Sequence, residues 1–242
     1  MSSGSTQSII ALRGIRYRWR PTAPVVLDIE QLDIAPGERL FIRGPSGSGK
    51  TTLLGLMGGV LSPGSGHVYL AGADLSRLSA AHRDRLRADE IGFVFQMFNL
   101  IPYLSVLDNV LLPCRFSRSR QQRAGAEREP VEEARRLLAR LGLDQENLLT
   151  RDVAELSVGQ QQRVAVARAL IGRPGIVIAD EPTSALDADS RDEFLALLQE
   201  ECGSSGAALL FVSHDVSLAR HFDRSLDMQT LNRALDAEVG QR

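Results

Sequence analysis

Lysine is almost missing from this sequence: Lys50 is the single lysine among 28 basic Lys and Arg residues. A chain that otherwise carries its positive charge on arginine has kept one compact, mobile ammonium. Cysteine is scarce too. Cys114 and Cys202 lie far apart without metal-ligand spacing, which argues against a disulfide scaffold and fits a reducing compartment. No stretch approaches the about 18 consecutive apolar residues of a membrane span, so the chain forms no pore, although it could serve one from outside. Residues 1–7 are small and polar, without the basic and apolar regions of a secretory signal. Neither charge sign is in excess: the net charge is −2, which gives no argument for nucleic acid or an anionic membrane surface. The 242 residues suffice for one large α/β domain with a subdomain inserted.

What is present is organised around Gly44-Pro45-Ser46-Gly47-Ser48-Gly49-Lys50-Thr51, a full match to G-x-x-x-x-G-K-[ST]. A strand-like run, Arg39 to Arg43, precedes it, and a helix-like run begins at Thr51-Thr52. Glycines let the backbone curl its N–H groups toward phosphates, and the following helix adds its positive end. Lys50 would reach the β- and γ-phosphates, and the Thr51 hydroxyl would ligate Mg²⁺. Upstream, Ser8 to Trp19 and Val25 to Ile34 read as strands, so three short strands precede the first helix and suggest a small antiparallel sheet leaning on a parallel core. Trp19, the single tryptophan, is either a packing residue or a flat platform for a purine ring, with Tyr17 competing for that role.

Further along, Ile91 to Phe95 reads as a strand ending at Gln96, a neutral amide able to bond a metal or its water without changing local charge. Met97 to Leu104 is apolar for a loop and is either core or a surface that a partner covers. The Arg- and Gln-rich stretch from Cys114 to Pro130 reads as a solvated surface loop or helix, and Val131 to Leu141 as an amphipathic helix stopped by Gly142. Ser157 can cap a helix whose first turn holds Gly159 and Gln160. Taken alone this is a plain N-cap before it is a second phosphate site. Gly175 to Glu181 reads as a buried parallel strand with two carboxylates at its tip, where open α/β sheets keep their sites. Asp180 is expected to orient the Mg²⁺ shell and Glu181 to act on the attacking water as general base. Ala207 to Val212 is the next buried strand. It ends at His214, a donor for the γ-phosphate. Ser225 to Met228 reads as a last strand, and 230–242 as a polar peripheral tail.

With these motifs in this order, the chain resembles the ATPase subunit of ABC transporters over nearly its whole length. The resemblance implies an α/β fold: a P-loop NTPase core with a mostly parallel sheet, a small antiparallel β subdomain and an inserted helical subdomain. Residues 1–242 then form a single ABC ATPase domain, with 8–96 plus 159–229 as core, 97–158 as helical subdomain and 230–242 as tail. It implies ATP and Mg²⁺ as cofactors and a head-to-tail dimer around two ATPs, in which Ser157 and Gly159 of the opposite subunit close on the γ-phosphate. That reverses the preference for a plain cap at Ser157. By the same resemblance Trp19 looks like the adenine-stacking aromatic. Gln96 looks like the sensor of Mg²⁺ and lytic water that couples to the membrane subunit, Asp187 like the aspartate communicating between sites, and His214 like the switch that holds the γ-phosphate and positions Glu181. Val158 departs from the family's usual glycine, and a β-branched residue stiffens that backbone. The segment from Phe95 to Val110 is similar to the branch serving FtsX-like permeases, among them lipoprotein-release systems and macrolide exporters. The expectation is therefore an ATP-hydrolysing subunit on the cytoplasmic side of the inner membrane, attached through a permease and without a nucleic-acid partner. A soluble ABC-type ATPase acting in DNA repair or on ribosomes, or a binding module without turnover, stands as the alternative.

Overall fold

The computed structural model describes residues 8–235 apart from 184, 185 and 187, and leaves aside the side chains of 188 and 189. Two sheets carry the chain. β1 (Ile10–Tyr17) and β2 (Leu27–Ile34) pair antiparallel with Ile10 facing Ile34, Leu12 facing Leu32 and Ile15 facing Ile29. Alternation puts Ile10 and Leu12 on one buried face, and an irregularity around Gly14, whose φ is 57°, shifts the phase so that Ile15 joins the same core. Of the three strands before the first helix, only these two join the antiparallel sheet. β3 (Arg39–Arg43) goes elsewhere, because Leu40, Phe41 and Ile42 form a continuous apolar run, all fully buried. Such a run requires cover on both faces. It leads through the 44–49 loop into α1 (Lys50–Met57), after which β4 (Ser65–Leu70) and β5 (Ala73–Asp74) complete the antiparallel sheet in the order β2-β1-β4-β5.

After α2 (Ala80–Glu90), β6 (Ile91–Val94) enters the second sheet. Four helices then intervene: α3 (Val106–Phe116), α4 (Arg118–Ala124), α5 (Pro130–Arg140) and the short α6 (Glu146–Leu149). α7 (Val158–Leu170), β7 (Ile176–Asp180), α8 (Ala188–Ser205), β8 (Ala208–Val212), β9 (Arg224–Asp227) and α9 (Met228–Leu231) follow. The second sheet is parallel throughout, in the order β6-β7-β8-β3-β9. The last strand thus lies at the edge beside β3, and the tips of β3, β7 and β8 point the same way.

Alternate residues of each central strand feed opposite layers, as the pleat requires. Leu40, Ile42, Ile176, Ile178, Leu210 and Val212 pack with α1 and the antiparallel sheet, while Phe41, Val177, Ala179, Leu209 and Phe211 pack under the helices α3, α5, α7 and α8.

Two expectations need correction. The Arg-rich stretch before Pro130 is not simply solvated. Arg120, on α4, is 2% exposed and donates to the carbonyls of Ile171, Ala169 and Ile91. Burial brings its pKa down to about 10. Carbonyls at the end of α7 make a partly negative terminus that a five-donor guanidinium can satisfy. Nor is the start of the C-terminal segment peripheral. Asn232 is fully buried and bonds the backbone of Val26, Asp28 and Ser48.

Candidate active site

The 44–49 loop closes on itself. Gly47 and Gly49 take φ values of 80° and 96°, where a side chain would be strained, and a Cβ on Gly49 would come within 2.7 Å of Leu27 Cδ2. Ser48 is buried beneath the loop. The Lys50 ammonium folds back across the opening, donating to the carbonyls of Gly44 at 2.6 Å and Pro45 at 3.1 Å. It is therefore held over the spot where the loop amides and the N-terminus of α1 converge, a site suited to an anion.

A cavity of about 700 Å³ opens here, lined by Trp19, Gly44, Pro45, Ser46, Gly47, Gly49, Lys50, Thr51, Thr52, Gln96, Asp180, Glu181 and His214. Thirteen residues expected from sequence are thus brought to one hollow, which β3, β6, β7 and β8 reach with their C-terminal ends. Trp19 is 60% exposed at its mouth, whereas Tyr17 is buried in the core and meets Trp19 edge-on with ring centroids 5.3 Å apart. Of the two rings, Trp19 is the accessible one.

At the tip of β7 the two carboxylates diverge in environment. Burial, and secondarily the neighbouring Glu181, push the Asp180 pKa up, while Lys50 opposes the shift. Glu181 holds a φ of 47°, rare for a side chain of this size, and its N–H donates to the Val212 carbonyl on β8 at 2.9 Å. Strain of this kind persists where surrounding structure over-determines it, and it collects at functional sites. The turn aims the Glu181 carboxylate at His214, whose Nδ1 lies 2.9 Å from Glu181 Oε2.

The donor set fits a magnesium nucleotide. Among the described residues no group of three or more His, Cys, Asp or Glu side chains could hold a metal alone. Thr51, Gln96 and Asp180 instead offer a hydroxyl, an amide and one carboxylate beside the phosphate cradle. Mg²⁺ characteristically takes one or two carboxylates, substrate phosphates and water rather than a protein cage.

Ser157, Gly159 and Gln160 do not line this hollow. They open α7, where Ser157 Oγ accepts from Gln160 N at 3.3 Å and Gln160 Oε1 accepts from Ser157 N at 3.0 Å, a reciprocal cap. Ser157 and Val158 are exposed, and a Cβ on Gly159 would meet nothing within 4 Å, so this helix start faces away from its own chain. Asp187 lies outside the described residues.

Sequence reasoning missed the residues that fasten these parts. Gln162 on α7 is 1% exposed and donates to the Pro182 carbonyl just past Glu181, and Arg191 pairs with Asp215 beside His214. A backbone carbonyl carries no residue-type signal, so the first of these has no trace in the sequence.

The model of the ABC transporter family matches residues 27–184. The chain belongs to that family. Within it, the lipoprotein-releasing system ATP-binding protein LolD of Pseudomonas fluorescens is 42% identical over 231 residues, covering 93% of this chain and 96% of its own length. The macrolide export ATP-binding/permease protein MacB of Rhodopirellula baltica is 40% identical over 91% of this chain, which corresponds to 32% of MacB. Among solved structures, the ATP-binding cassette MJ0796, in a dimeric post-hydrolysis state bound to ADP and Pi, superposes with a TM-score of 0.76 at 37% identity. It covers 90% of this chain and 93% of its own. The cbiO1 protein from Clostridium perfringens, part of an ABC transporter complex, gives a TM-score of 0.77 at 27% identity and covers 91% and 84%. The ABC cassette described here binds ATP with Mg²⁺ and hydrolyses it, coupling the reaction to transport. No helix among the described residues is long and apolar enough to cross a membrane.

Proposed function

We propose that this ABC cassette energises a lipoprotein-extraction or export complex at the cytoplasmic face of the inner membrane, two copies closing head-to-tail on two Mg-ATP beneath an FtsX-like permease. The observation that carries this reading is the 42% identity to a lipoprotein-releasing ATP-binding protein along nearly the full length of both chains. The 8–96 and 159–229 portions act as the catalytic body, 97–158 as the helical subdomain and 230–242 as the tail. In the cavity Trp19 stacks on adenine, the 44–49 amides with Lys50 and Thr52 hold the phosphates, and Thr51, Gln96 and Asp180 hold Mg²⁺. Glu181 takes the proton of the attacking water, and His214 fixes Glu181 while donating to the γ-phosphate; their 2.9 Å contact supports the pairing. The outward-facing start of α7 supports a role in the neighbouring copy's site, with Ser157, Gly159 and Gln160 completing the γ-phosphate shell and Asp187 relaying between sites. Val158, 54% exposed at N1 of the helix, presents a stiff apolar edge at that closing surface.

A second hollow, about 550 Å³, runs beside Gln96 between Phe95, Phe116 and Arg168. Phe116, which lines it, is 79% exposed, and Met97 and Tyr103, in the segment after Gln96, are 81% and 76% exposed. A groove lined by Phe93, Phe95, Leu112 and the exposed Phe116 marks an interaction surface, and its occupant here is a cytoplasmic segment of the permease. The test is affinity capture from solubilised membranes with ATP present. A polytopic permease with a large extracytoplasmic domain should be recovered by the wild type and lost with Phe116→Glu. Recovery of ribosomes or DNA in its place would overturn the transport reading.

A further inference from the structure

Gln96 leads into a turn that side chains disfavour. Phe98 and Asn99 hold φ values of 59° and 49°, two consecutive residues in the left-handed region and neither of them glycine. The turn is braced from outside. Arg168, in the last turn of α7, donates from Nη2 to the Phe98 carbonyl at 2.5 Å and from Nη1 to the Asn99 carbonyl at 2.6 Å. Burial lowers the Arg168 pKa, and among the described residues no carboxylate pairs with it, so these two carbonyls are its counterweight. Beyond the turn, fully buried Asn109 bonds the backbone of Ile101 and Leu104. Gln96 is therefore suspended between the end of β6 and the Arg168 brace. The same helix starts at Val158, so α7 carries the outward-facing cap at one end and this brace at the other.

We propose that Arg168 is a positioning residue that sets the direction of Gln96, so that displacement of α7 and displacement of the Gln96 loop are one motion. This rests on the reading above that Gln96 serves the metal and its water. Asn99 and Arg168 also line the 550 Å³ groove, so a segment seated there presses on the brace and reaches Gln96 through it. None of Phe98, Asn99 and Arg168 lines the 700 Å³ cavity. Arg168 acts through the turn.

Arg168→Lys retains a cation but loses the planar fork that spans two adjacent carbonyls. Hydrogen exchange on the full-length chain should then speed up about tenfold at residues 97–104 while β7 and β8 stay protected. Unchanged exchange at 97–104 overturns the proposal. In parallel, kcat and the Mg²⁺ concentration for half-maximal turnover are measured for Gln96→Ala, Arg168→Lys and the double variant. Each single change should lower kcat about tenfold and raise the Mg²⁺ requirement, since small misplacements of a reacting group cost one to two orders of magnitude. The double variant should be no worse than the poorer single. Losses that multiply, or a reduced kcat with an unshifted Mg²⁺ requirement in Arg168→Lys, overturn the link. A silent Gln96→Ala together with faster exchange in Arg168→Lys would instead reject the metal reading of Gln96 and leave the brace in place.

Discussion

Asn232 lies far from the phosphate loop in sequence, yet its amide donates to the Ser48 carbonyl and, on the other side, to Val26, while its oxygen accepts from Asp28 N–H. Replacing it by alanine leaves several buried backbone groups unpaired, at a cost of about 2 kcal/mol. For a chain of this size that corresponds to a fall in Tm of about 4–8 °C. Calorimetry of Asn232→Ala checks it, and ATP affinity should weaken with it because the loop loses an anchor. An unchanged Tm would refute the assignment. Residues such as this mark the limit of what the sequence made legible. Lys50, Asp180, Glu181 and His214 could be read because their chemistry is tied to residue type and to a strand tip, and all four meet in one cavity. Asn232 in a polar segment, and Arg120 in an arginine run, gave no such sign, since their partners are backbone groups supplied by the fold.

Among the elements, β6 and α7 make the closest approach that bears on the site. A Cβ on Gly92 would lie 2.2 Å from the Ala169 carbonyl, a backbone atom that cannot swing away and that also accepts from Arg120. Gly92→Ala should force the strand off the helix, lowering stability by about 1–3 kcal/mol and Tm by several degrees, with the largest loss of exchange protection along β6. Wild-type melting in this variant would contradict the packing described. Periodicity served well for such elements where burial is two-sided: the apolar runs of β7 and β8 announced buried parallel strands. Order of appearance misled for β3, which it assigned to the antiparallel sheet. Its continuous apolar run marks it as buried on both faces, but its partners β8 and β9 lie roughly 170 residues or more downstream, and no local pattern encodes which strands it joins.

At the scale of the whole molecule, the residues in question divide between two surfaces. One hollow holds Trp19, the phosphate loop and the Asp180–Glu181 tip, while the cap at Ser157 and Gly159 stands apart and faces outward. On the proposed reading, a single copy has an unfinished site, and its exposed α7 start serves the site of a second copy. Head-to-tail closure joins the two, and removal of the general base should trap the closed form. The measurement that tests this most directly is sedimentation velocity of Glu181→Gln in Mg-ATP, with and without Ser157→Arg, alongside nucleotide binding and turnover. The account predicts that Glu181→Gln binds ATP, loses turnover by at least about two orders of magnitude and sediments as a dimer. Adding Ser157→Arg should return it to an ATP-bound monomer. Undiminished hydrolysis in Glu181→Gln, or a dimer indifferent to Ser157→Arg, would contradict it.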